Sequence, residues 1–215
     1  VTIHDLIPLL LHGYRGNLLV RAYTAWACHA ARKADLVLTD SHAAARDITE
    51  HLHLPAERVR VIYLAADEAY HAAATTPEEM MSAARAHLGL PAQYLLYLGG
   101  FDRRKQVPEL LQAYAHSGLA RDLPLVVAGR LPAQDTAFSP DPRPLARSLG
   151  LEESVRFTGW VEEADKPALY RGARGLVFPS LYEGFGLPVL ESLACGTPAI
   201  ACRGSSLEEV LGPGG

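Results

Sequence analysis

The run Gly175-Leu-Val-Phe-Pro-Ser-Leu-Tyr-Glu-Gly-Phe-Gly-Leu-Pro-Val-Leu-Glu-Ser-Leu-Ala-Cys-Gly-Thr-Pro-Ala-Ile-Ala-Cys202 constrains the fold more than any other part of the chain. Leu176 to Phe178 is a short apolar run of the kind buried in parallel sheets, and Gly184 and Gly186 bracket a turn. Pro188 fits a first helical turn, where its missing N–H costs little, while Gly196 stops the helix and Thr197-Pro198 prevents it restarting. The stretch therefore reads as one βαβ unit. Its helix, Leu187 to Cys195, is apolar almost all round and is expected to lie buried against a sheet. Glu191 falls among Leu187, Leu190 and Ala194, where a carboxylate is costly unless something bonds it. Glu183 lies in the loop before the helix, whose free N–H groups attract anions, so the two carboxylates suit a ligand with hydroxyls and a phosphate. A glycine loop that only turns the chain and an ion-paired Glu191 are the plain alternatives.

The preceding residues repeat the strand-and-helix alternation. Tyr94 to Leu98 reads as a buried strand that delivers Gly99-Gly-Phe-Asp-Arg-Arg-Lys-Gln106 to a helix over Pro108 to His116. Small residues, then Arg104 and Lys105, then a helix start bring backbone N–H groups and cations together, as a phosphate requires; a solvated basic turn is the alternative. The spacing matches neither a Walker loop nor a dinucleotide fingerprint. Leu123 to Ala128 and Val155 to Thr158 are further strands, separated by an irregular proline-rich stretch over 131–144 and a helix over Pro144 to Gly150. Gly159-Trp-Val161 turns at a strand end, and Asp165 to Arg171 is the helix before the focal unit. Strands and helices alternating with short loops predict an α/β, Rossmann-like parallel sheet covered on both faces.

The first part of the chain carries a smaller set of the same elements. Val1 to Ile3 reads as a strand that places His4 at its C-terminal edge, the side on which open α/β sheets hold ligands. A lone histidine there also serves as an ordinary hydrogen-bonded residue. Asn17 to Ala34 reads as a helix with Leu18, Leu19, Ala22, Ala25, Trp26 and His29 at helical spacing, and strands follow over Leu36 to Thr39 and Val59 to Tyr63. Ser41 is the expected N-cap of a helix over Ala43 to Leu52. The stretch after Tyr63 has no sustained amphipathic face and reads as a linker. A formal charge of −4 offers no basic field for nucleic acid, and no apolar run reaches the length of a membrane span. Cys28, Cys195 and Cys202 sit in apolar surroundings, pointing to buried thiols in a reducing compartment, with cytoplasm the default. His51 and His53 have no Cys or carboxylate cluster beside them, so no metal site is expected.

Glu183-Gly-Phe-Gly-Leu-Pro-Val-Leu-Glu191, with the flanking Phe-Pro-Ser and Ala-Cys-Gly-Thr-Pro, resembles the Glu-x7-Glu motif of retaining GT-B glycosyltransferases of family 4. The Gly99 to Gln106 run resembles the diphosphate-holding segment of mannosyltransferase-like members, although Gly100 stands where many relatives have Arg and Gln106 where Asn or Gly is commoner. The resemblance implies the tail of an N-terminal acceptor domain over 1–66, a linker over 67–77 and a nucleotide-sugar donor domain over 78–215, in a piece of a longer protein. It implies that Arg104, Lys105, Gly99, Gly100 and the loop Gly184, Phe185, Gly186 and Leu187 hold the diphosphate. Glu191 would then hold the ribose, and Trp160 with Val161 would lie at the base. Glu183 and His4 are the implied catalytic residues beside the donor sugar, His4 reaching it from the other domain. The implied reaction moves a sugar, first of all mannose from GDP-mannose, to an acceptor hydroxyl with retention and with no cofactor or metal. A glycan or lipid-linked acceptor, a cytoplasmic setting and peripheral association with the inner face of a membrane are further expectations. A GT-B epimerase and a non-catalytic nucleotide-sugar-binding domain are the alternatives, and the 215-residue chain alone is expected to bind nucleotide weakly without transferring sugar.

Overall fold

The computed structural model describes residues 1–71 and 78–212, so most of the expected linker, 72–77, and the last residues, 213–215, lie outside the described residues. The chain forms two compact units. The first comprises Val1–Ala65 together with Tyr182–Gly186 and Arg203–Gly212; the second takes the remainder from Ala66 onward. Two short segments that sequence reading placed in the second domain thus belong to the first unit.

In the first unit, α1 (Ile7–Leu10) and α2 (Leu18–Lys33) precede β1 (Val37–Thr39), α3 (His42–Leu52) and β2 (Val59–Val61). The strands pair in parallel, Val37 opposite Val59 and Thr39 opposite Val61. The strand expected at Val1 to Ile3 is reduced to a parallel bridge from Thr2 to Leu38, with Ile3 N–H donating to Leu38 O at 2.9 Å. Ser41 caps α3 as its chemistry predicts, accepting from Ala44 N at 3.0 Å, and His53 ends that helix in the left-handed region. Ala31, Val37, Ile48 and Leu52 form the centre of the core. The apolar spacing read in α2 picks the wrong face: Leu18 and Leu19 are 78% and 80% exposed, whereas Cys28 and Ala31 are the buried positions. Ile48 and Leu52 share the core cluster with Cys28 and Ala31, so the helix buries its small residues where α3 comes close.

The second unit opens with α4 (Glu78–Leu88). It then alternates β3 (Leu95–Leu98), α5 (Val107–His116), β4 (Leu125–Ala128), α6 (Pro142–Ser148), β5 (Val155–Gly159), α7 (Lys166–Arg171), β6 (Gly175–Phe178), α8 (Leu187–Ala194) and β7 (Ala199–Ala201). A short helix, α9 (Leu207–Leu211), follows in the first unit. All five strands of the second sheet are parallel, in the order β5-β4-β3-β6-β7. Every residue of β4 is fully buried, and so are Leu96, Tyr97, Leu176 and Phe178, which is why these strands read as unbroken apolar runs. Helix α5 packs on α6, while α7 packs on both α4 and α8, giving two helical groups for one sheet. Helix α8 is not buried all round: Val189 and Ser192 face the interior, but Leu187 and Leu193 are 39% and 37% exposed. One short helix lying over the sheet covers only the stripe that touches β6 and β7.

Chain order runs from β3 through β4 to β5 in one direction and from β6 to β7 in the other. The order reverses between β3 and β6, and the crevice beyond the C-terminal ends of two such strands is where open parallel sheets bind ligands.

Candidate functional site

The loop after β3 and the loop after β6 meet at this reversal. Leu181 N–H donates to the Arg104 carbonyl at 2.9 Å, and the Ser180 hydroxyl reaches the same oxygen at 3.4 Å. The basic loop therefore stands at the topological switch point, a placement that required the strand order. Gly129, which follows β4 with φ of 139°, is the glycine this loop requires: a Cβ there would fall 2.0 Å from the Gly99 carbonyl oxygen. Arg103–Lys105 form a single 3-10 turn, and α5 starts after Gln106, whose φ is 54°. Gly adopts that left-handed backbone freely, and Asn far more readily than Gln. Space is open at Gly100, where a Cβ would meet only the Asp102 carboxylate at 3.4 Å, so an Arg would not be excluded by crowding.

The two predicted cations differ. Arg104 is largely buried and its Nε lies 3.4 Å from Asp102 Oδ1, so part of its charge is answered within the loop. Lys105 holds its ammonium 4.9 Å from the centre of the Phe178 ring, at the C-terminal end of β6. The proline-rich stretch also comes to this loop, with Arg103 N–H donating to the Phe138 carbonyl at 2.9 Å. At the end of β5, Trp160 is 54% exposed and so is not a core residue, whereas Val161 is buried. The indole N–H donates to Glu162 at 2.9 Å and the Arg130 guanidinium stacks 5.0 Å from the ring centre. Arg130 follows β4 and carries no local sequence signal of this role.

Glu191 lies in α8, half-buried, and has the partner that its cost demands. The hydroxyl of fully buried Tyr170 donates to Glu191 Oε2 at 2.8 Å. Burial raises the carboxyl above its ordinary range, Tyr170 and Lys166 pull it part of the way back, and Glu163 adds to the rise. Tyr170 is itself raised, first by burial and then by the Glu191 charge. Its backbone carbonyl accepts from the Thr197 hydroxyl at 2.8 Å, and Tyr70 packs edge-on against its ring at 6.0 Å. Cys195 nearby is pushed up to about 11 by burial, so it is a thiol.

The other predicted carboxylate belongs to the first unit. His4 Nδ1 lies 2.6 Å from Asp40 Oδ2, and because a carboxylate only accepts, Nδ1 carries the proton and the exposed ring presents Nε2 outward. Gly184 packs directly on the same strand end: a Cβ there would fall 2.6 Å from the His4 carbonyl oxygen. The main chains of His4 and the Glu183 loop are thus brought together, as the pairing of two catalytic candidates requires. Gly186, with φ of 108°, packs against Leu207, and Tyr182 bonds the Asp47 carboxylate. Among the described residues no group of three or more His, Cys, Asp or Glu gathers as a metal-ligand set, and no helix is long and apolar enough to cross a membrane.

Two parallel sheets, one with its order reversed at a glycine-rich basic loop, define an α/β protein of the GT-B class. The family model described as glycosyl transferases group 1 matches residues 84–215, and the one described as Glycosyltransferase Family 4 matches residues 1–70. The chain belongs to the glycosyl transferases group 1 family. It is similar to the O-antigen chain mannosyltransferase B of Escherichia coli, 31% identical over all of this chain and 55% of that protein. The serotype-specific mannosyltransferase WbdA of Escherichia coli is 33% identical over 97% of this chain and 26% of that protein. The chain thus spans about half, or less, of these relatives. Among solved structures, sucrose-phosphate synthase from Thermosynechococcus elongatus superposes with a TM-score of 0.75 at 25% identity, over 97% of this chain and 51% of that one. Anabaena HepE in complex with UDP and glucose gives 0.73 at 22% identity, over 97% and 53%, a likeness of fold.

Proposed function

We propose that the protein is a retaining hexosyltransferase that moves mannose from GDP-mannose to an acceptor hydroxyl. The observation that carries the reading is the junction of the basic Gly99–Gln106 loop with the loop after β6 at the sheet's switch point, in a chain of this family. Lys105, Arg104 and the backbone N–H groups at the start of α8 neutralise the diphosphate as it leaves, the step in which negative charge develops. Glu191, held by Tyr170, accepts from the ribose hydroxyls, and exposed Trp160 with Val161 borders the base. Glu183 and His4 bond the donor sugar, His4 through Nε2. The reaction needs no cofactor or metal in this reading. Relatives named for mannose transfer and for an O-antigen chain favour a mannosyl donor and a glycan or lipid-linked glycan acceptor. A cytoplasmic setting at the inner face of a membrane is a further part of this proposal.

Calorimetric titration with GDP, UDP and ADP tests the donor. GDP is expected to bind best, and Glu191→Ala and the double change Arg104→Ala with Lys105→Ala are each expected to weaken it by about 1 kcal/mol or more. Preference for UDP or ADP would replace the donor, and affinity unchanged by both variants would remove these residues from the site.

A further inference from the structure

The Glu183 loop has no regular secondary structure, yet the Glu183 N–H and the carbonyls of Glu183, Gly184 and Phe185 are all bonded, and serines supply the partners. Glu183 N–H donates to Ser205 Oγ at 3.2 Å, and the Ser206 hydroxyl lies 2.9 Å from the Glu183 carbonyl and 2.7 Å from that of Phe185. From the opposite direction in sequence, the Ser41 hydroxyl donates to the Gly184 carbonyl at 2.7 Å while accepting from Ala44 N. Ser41 and Ser206 are both fully buried. A buried hydroxyl has one proton, so Ser206 shares it between two carbonyls and ties the residues on either side of Gly184 to one point. The segment that carries the serine pair is itself moored. Glu209 accepts from His42 N at 2.8 Å and Ala43 N at 2.6 Å, the unbonded N–H groups at the start of α3, and from the Tyr63 hydroxyl at 3.2 Å.

We propose that Ser206, assisted by Ser41 and moored by Glu209, is a positioning residue that fixes the peptide of Glu183 and so aims its carboxylate at the donor sugar. The part concerning sugar rests on the function proposed above; the part concerning the loop does not. A hydrogen bond at each end of the Glu183 peptide sets the direction of its Cα–Cβ bond, and a carboxylate that acts on a reacting carbon loses rate steeply when its aim drifts.

Two measurements separate the two parts. In amide hydrogen exchange without ligand, Ser206→Ala is expected to speed exchange over 182–186 about fivefold while leaving β3 and β4 unchanged. Unchanged exchange in the loop would overturn the proposal whatever the ligand. Titration then compares GDP with GDP-mannose. Ser206→Ala should leave GDP affinity within about twofold and remove most of the gain due to the sugar, as Glu183→Ala does, and the double variant should be no weaker than either single one. An equal loss for GDP and GDP-mannose would make Ser206 a structural residue only and overturn the positioning role. A wild type that gains nothing from the sugar, with exchange in the loop still accelerated by Ser206→Ala, would overturn the assignment of Glu183 to the sugar and leave Ser206 as the loop's anchor.

Discussion

Glu183 and Glu191 stand on one continuous stretch of chain, yet the molecule holds them in opposite ways. Glu183 is secured through its main chain, by serine hydroxyls on both of its peptide groups and by a glycine pressed onto the His4 strand end. Glu191 is secured through its side chain, by one phenol hydroxyl against a half-buried carboxylate. Burial raises the proton affinity of Glu191 and the Tyr170 hydrogen bond offsets only part of that rise, so the ionised carboxylate carries some cost in stability. The difference teaches that two residues of one motif need separate tests, because the same substitution breaks different things.

The largest expected effect falls on the main-chain side. Gly184→Ala places a Cβ 2.6 Å from a backbone oxygen that cannot rotate away, and it is expected to destabilise the fold by about 1–3 kcal/mol in chemical denaturation. Gly99→Ala is the control, because the nearest atom there is the Tyr97 hydroxyl at 3.0 Å, the end of a side chain; a loss as large as that of Gly184→Ala would erase the contrast. Next comes the side-chain anchor. Tyr170→Phe keeps the packing and deletes only the donor to Glu191, so GDP affinity should fall by about 1–2 kcal/mol while inorganic pyrophosphate, which has no ribose, binds as before. Loss of pyrophosphate binding as well would mean that Tyr170 supports the whole loop cluster.

The smallest effect is the most diagnostic. Because burial raises the Glu191 carboxyl in the folded protein, that state keeps a proton over a pH window in which the unfolded chain has lost it. Stability is then gained as pH falls through the window and lost as pH rises through it, the loss being complete above the folded value. Glu191→Gln never ionises and still accepts from Tyr170. It is expected to melt about a degree or two higher than wild type near neutral pH, with the gap closing in acid as the wild type protonates. A gap that stays constant from neutral pH into acid would separate the effect from ionisation of Glu191.

Much of the second unit is legible in its sequence. The extents of α5 and α8 and the buried strands, like the Ser41 cap in the first unit, follow from apolar runs, glycine stops and capping chemistry, all of which act between residues a few positions apart. Helix α2 shows where this fails. Its spacing offers two faces, the large residues Leu18, Leu19 and Trp26 or the small ones Cys28 and Ala31, and only the approach of α3 selects the small ones. The basic loop was recognisable from its charges, but its site was not, because strand order is set by which sheet edge each helix crosses and leaves no mark within a strand. Trp160 reads as a turn residue and, through the resemblance, as a neighbour of the base, while Arg130 on its ring comes from the neighbouring strand end.

Hydrophobic period, turn chemistry and helix stops are local, so the list of elements, the α/β class and the pair of carboxylates on a glycine loop can be read from the residues alone. The tertiary structure alone decided the partners: Tyr170 for Glu191, Ser206 and Ser205 for Glu183, Asp40 for His4, and the α3 N–H groups for Glu209. Each of these contacts joins residues far apart along the chain. Their cost in chain entropy is met by the packing of whole elements, and no stretch of a few residues carries that information.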